Sequence, residues 1–87
     1  MTMNNYLKNV PKRNKKIKSL YMLKNEMFII DINQELFNMQ RPAALFWPYI
    51  DGTRTLEEIY SEVKEAIRLD VFVTKINTLK KHHIIEF

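Results

Sequence analysis

The chain has 87 residues, 46% of them aliphatic or aromatic, with one glycine, three prolines and no cysteine. That is enough for one small core, and it excludes a disulfide framework, a thiolate metal site and a cysteine nucleophile. No apolar run reaches the roughly eighteen residues of a membrane span and the N-terminus has no hydrophobic signal core, so the expected location is the cytoplasm, with no membrane partner.

The net charge of +4 is unevenly placed. Residues 1–25 hold seven of the fourteen basic residues and no acid, which leaves seven basic against ten acidic groups, a net of −3, for residues 26–87. Such a basic stretch reads first as a solvated arm and second as a contact for nucleic acid or an acidic partner.

Residues 1–15 mix Asn, Lys and isolated apolar residues around Pro11 without a period, and are expected to form a loosely ordered basic arm; residues 16–87 form one domain. Short β-like runs follow at 17–23, 27–32 and 35–39, separated by Asn-rich links too short for parallel crossovers. An antiparallel meander is expected. Met27-Phe28-Ile29-Ile30 is apolar on both faces, as in a central strand, whereas the third run alternates Leu36 and Asn38 against Phe37 and Met39, as at an edge.

Pro42 suits the first turn of a helix, and Ala43, Phe46, Trp47 and Ile50 fall at i, i+3, i+4 and i+7, one apolar face that Pro48 should kink or end early. Asp51-Gly52 breaks this pattern with the only glycine. Thr55 and Glu58 then make a capping box that opens a second helix, expected to run to about Arg68, with a stripe of Leu56, Ile59, Tyr60, Val63 and Ile67. Asp70 is expected to cap a third helix with a stripe of Leu69, Phe72, Val73, Ile76 and Leu79, ending at Lys80-Lys81. Residues 82–87 read as an extended tail whose apolar residues return to the core.

No constellation for catalysis assembles along the chain: no glycine-rich phosphate loop, no paired carboxylates beside an apolar pocket signal, no serine in a nucleophile-like context. The adjacent His82 and His83 point in different directions in either regular conformation and read as surface residues rather than as metal ligands. No cofactor and no enzymatic activity are expected.

The succession Met39-Gln40, Ala43-Ala44, Asp51-Gly52, Thr55-Leu56-Glu57-Glu58-Ile59 and Leu79 followed by His83-Ile84-Ile85 resembles the PqqD family, also called RiPP recognition elements. That family typically carries Leu-Asn, an alanine-rich helix start, Asp-Gly, Thr-hydrophobic-x-Glu-Ile, and a late leucine followed by Gly-Leu-Leu at these places. The chain departs from it at Gln40, Pro48 and His83, and lacks the usual glycine of the first hairpin.

The resemblance implies an α+β winged helix-turn-helix fold, a three-stranded antiparallel sheet followed by three helices, that binds peptide rather than DNA. By that resemblance the leader of a ribosomally made precursor peptide adds as a strand to the edge at Glu35, Leu36, Phe37, Asn38, Met39 and Gln40. Its side chains would settle in a groove against helix 70–82, lined by Val71, Lys75, Thr78 and His82, with Lys75 available to pair with a leader carboxylate. The implied partners are the leader and a peptide-modifying enzyme, whether protease, cyclase or radical enzyme. A winged-helix DNA-binding protein is the alternative. It is the less favoured, because residues 69–79 contain Lys75 as their only cation where a recognition helix needs several.

Overall fold

A computed structural model describes the backbone of residues 3–23, 27–32, 35–39 and 43–87, and the side chains of residues 4–17 and 43–87. In chain order the elements are helix α1 (Met3–Leu7), strands β1 (Lys12–Arg13), β2 (Ile17–Leu23), β3 (Met27–Ile32) and β4 (Glu35–Met39), helices α2 (Ala43–Phe46), α3 (Leu56–Val63) and α4 (Leu69–Lys81), and strand β5 (Ile85–Glu86). A 3₁₀ turn, Trp47–Tyr49, continues α2 at the point where Pro48 cannot supply an α-helical N–H.

The expected winged helix-turn-helix, three strands followed by three helices, is not the architecture. The chain is helix-rich, it begins with α1, and the sheet built into its helical body has two antiparallel strands, β1 and β5, with Lys12 opposite Glu86 and Arg13 opposite Ile85. Strands β2, β3 and β4 pair antiparallel in that order, with Tyr21 opposite Ile29 and Ile30 opposite Phe37, and their extensive contacts are with one another. The helical body packs through α1 on α3, α2 on α3 and α4, and α4 on β5.

Backbone hydrogen bonds give the reason. The Leu56 N–H donates to the Asn9 carbonyl at 2.8 Å, the Gly52 N–H to the Pro11 carbonyl at 3.1 Å, and the Asn14 N–H to the Ile84 carbonyl at 2.9 Å. These bonds use main-chain groups that would otherwise need other partners. They hold residues 9–14 against the helices, where β1 is the neighbour that the tail strand pairs with.

The core gathers the apolar faces of these elements. Phe46, Ile50, Leu56, Ile59, Phe72 and Ile76 are fully shielded from solvent, and Trp47, Leu79, Ile84 and Ile85 nearly so. Each such side chain contributes about 1.5–3 kcal/mol on burial. Phe72 lies at the centre, edge-on to Phe46 at 5.0 Å between ring centroids and tilted against Tyr60 at 5.2 Å.

The ends of the helices follow local chemistry, with two departures. Thr55 Oγ accepts from the Glu58 N–H at 3.1 Å while Glu58 Oε1 accepts from the Thr55 N–H at 2.8 Å, the reciprocal capping box. Helix α3 stops at Val63 rather than near Arg68; the Ala66 and Ile67 N–H groups both turn back to the Val63 carbonyl, and the Tyr60 hydroxyl donates to the Ile67 carbonyl at 2.9 Å. Helix α4 is preceded by Arg68 in an extended conformation without a side-chain cap, so Asp70 lies inside the first turn instead of capping it. At the other end of α4, the Ile84 N–H reaches the Leu79 carbonyl and the His83 N–H the Lys80 carbonyl. With His83 at φ 60° this is a Schellman ending. His83 occupies the left-handed position at the place where the resembled family carries glycine.

Candidate peptide-binding edge

Strand β4 stands last in the order β2-β3-β4 and is paired along its length with β3, from Ile32 opposite Glu35 to Phe28 opposite Met39. An edge strand of this kind leaves alternate N–H and C=O groups directed away from its partner, a template for a further strand. Gln40 lies outside the described residues, as do the side chains of Glu35, Leu36, Phe37, Asn38 and Met39.

On α4, Val71 and Lys75 are half-buried, and Thr78 and His82 are exposed. Val71 packs at the margin of the core. The Thr78 hydroxyl donates to the Thr74 carbonyl at 3.0 Å and the Thr74 hydroxyl to the Asp70 carbonyl at 2.8 Å, so both hydroxyl hydrogens are spent on the helix's own backbone. His82 closes the helix, its N–H donating to the Thr78 carbonyl. The main packing neighbours of α4 are α2 and β5. These four residues therefore share one helix side at i, i+4, i+7 and i+11, and Lys75 is their one cation with a long reach.

A second polar feature has no local sequence signal. Arg13 stacks its guanidinium 4.5 Å from the centre of the Trp47 ring, and its Nη2 donates to the Trp47 carbonyl at 2.9 Å. Burial lowers the pKa of Arg13, and the nearby charge of Asp51 acts in the opposite direction. Arg13 Nε and Trp47 Nε1 are buried without a hydrogen-bond partner. An open cleft of about 320 Å³ lies beside them, lined by Lys12, Arg13, Pro48, Ile50 and Asp51. Asp51 itself is tied down: Oδ1 accepts from the Thr53 N–H at 3.0 Å and from the Thr53 hydroxyl at 2.6 Å, and Oδ2 accepts from Arg54 at 2.6 Å. These bonds, the Thr53 hydroxyl first, hold its pKa below the ordinary carboxylate value.

Among the described residues, no three His, Asp or Glu side chains converge as metal ligands, and no helix is long and apolar enough to cross a membrane. The chain matches no family model, no curated protein and no solved structure.

Proposed function

We propose that this chain is a non-catalytic binding protein that captures an extended peptide by adding it as a strand beside β4. The supporting observation is the position of β4 at the end of the order β2-β3-β4, with no further strand paired to it among the described residues. In strand addition the main chain supplies affinity and alternate side chains supply specificity. The sequence resemblance adds the class of peptide, the leader of a ribosomally made precursor. Capture of a leader would raise the effective concentration of the attached core at a modifying enzyme. Lys75, half-buried on α4, is the residue assigned to a leader carboxylate.

The test is backbone NMR of the labelled protein titrated with the leader peptide encoded beside its gene. Shifts gathered on residues 35–40, with new protection of β4 amides from hydrogen exchange, are the expected result. Saturating binding with no change on β4 would sink strand addition. No binding of any leader would sink the peptide reading altogether.

A further inference from the structure

The fold brings together lysines that the sequence keeps far apart. Asn14 is the joint. Its side chain donates to the His83 carbonyl at 2.5 Å and its N–H to the Ile84 carbonyl at 2.9 Å. The same residue organises the turn that follows: Asn14 Oδ1 accepts from the Lys16 N–H at 2.9 Å, and the Asn14 carbonyl accepts from the Ile17 N–H at 3.1 Å. The Lys15-Lys16 turn is thus fastened to the Schellman ending of α4, which carries Lys80 and Lys81. All four lysines are exposed. Lys80 lies over the Phe87 ring at 4.2 Å, while the ion pairs among the described residues, Arg54 with Asp51 and Arg68 with Asp70, involve none of them.

The geometry points to this corner as a docking surface for an acidic protein segment, one presenting clustered Asp or Glu carboxylates to Lys15, Lys16 and Lys81. Two observations favour a protein over a nucleic acid. Every described aromatic ring is buried or half-buried, so no exposed ring is offered for a base to stack on. Among the described residues, the solvent side of α3 and the turn after it carry Glu57, Glu58, Glu62 and Glu65, all exposed, so the basic character of the corner does not continue along that helix. A short acidic segment needs only a local cluster, whereas nucleic acid affinity depends on neutralising many successive phosphates. The surface is distinct from the β4 backbone and stands whether or not a leader binds there.

The experiment is fluorescence anisotropy with the full chain and a labelled oligoglutamate peptide, beside an oligodeoxynucleotide of equal net charge, at low and at physiological salt. The double variant Lys15→Gln, Lys81→Gln is compared with the charge-matched control Lys8→Gln, Lys64→Gln, each checked for fold by circular dichroism. The expected result is that the corner variant weakens peptide binding about tenfold, about threefold for each exposed lysine, and that the control stays within about twofold of the parent. Equal losses in both variants would reduce the effect to net charge and overturn the proposal. Absence of peptide binding at low salt, or tighter binding of the oligonucleotide with the same dependence on Lys15 and Lys81, would also overturn it.

Discussion

Gly52→Ala isolates one backbone requirement of the turn between α2 and α3. Gly52 sits at φ +84°, and a Cβ built there would lie 3.3 Å from the Lys12 Cβ. An L-residue in the left-handed region costs about 1–2 kcal/mol. The turn has little freedom to relax, because the Gly52 N–H is bonded to the Pro11 carbonyl and the Asp51 side chain holds the Thr53 N–H. The contact with Lys12 adds to the cost, while the lower entropy of an unfolded alanine returns about 0.4–1 kcal/mol. The net expectation is a loss of about 1–2 kcal/mol. For a domain of this size the total stability is about 4–13 kcal/mol, and the melting temperature should fall by about 5–15 °C. Thermal and urea unfolding followed by circular dichroism measures it, with an unchanged m-value expected because the unfolded surface is the same. A double-mutant cycle with Lys12→Gly separates the contact from the backbone cost: only the former depends on the Lys12 Cβ. A variant as stable as the parent would refute the account of this turn.

His83→Gly tests the same physics with the opposite sign. Relief of the left-handed strain, about 1–2 kcal/mol, exceeds the entropy that glycine adds to the unfolded chain, so urea unfolding should show a gain of about 0.5–1 kcal/mol, and a loss would count against the Schellman assignment. Thr55→Ala removes the reciprocal cap of α3 and should cost about 0.5–2 kcal/mol by the same assay; no change would mean that the cap adds nothing to folding. Phe72→Ala opens a cavity between Phe46 and Tyr60 and should cost about 3–5 kcal/mol, read as a large drop in the urea midpoint or as loss of the cooperative transition. Asp51 has a folded pKa below its ordinary value of 3.8, so its contribution to stability is complete above about pH 5 and is lost as pH falls through 3.8 toward the folded value. Thr53→Ala removes the largest cause of that depression, and carboxyl NMR titration should show the Asp51 pKa rising; an unmoved titration would break the link.

The signals legible in the sequence are those completed within a few residues. Ala43, Phe46, Trp47, Ile50, Leu56, Ile59 and Val63 are buried as expected, while Tyr60 of the second stripe is half-buried and Ile67 is buried beyond the end of α3. The Thr55–Glu58 box forms because its two partners are three residues apart, whereas the Gly52 turn, marked in the sequence by its glycine, is also held by the distant Pro11 carbonyl. The β-like runs coincide in position with β2, β3 and β4, so the edge proposed for peptide capture was visible as a run; the side on which a leader would lie was not.

What the tertiary structure decided is which distant groups meet. Strand β1 has two residues and carries no period, and its pairing with β5 arises because Asn9, Pro11 and Asn14 are bonded to Leu56, Gly52 and Ile84. That pairing gives the helical body a two-stranded sheet, in place of the expected winged architecture of three strands followed by three helices. The start of α4 also differs from expectation: Arg68 takes the extended cap position without a side-chain cap and Asp70 lies in the first turn, and the exposed Arg68–Asp70 pair at 3.4 Å is a weak local interaction that does not set the helix start. Local periodicity follows from the geometry of one segment, whereas these long-range contacts depend on the summed burial and hydrogen bonding of the whole chain, which no single segment encodes.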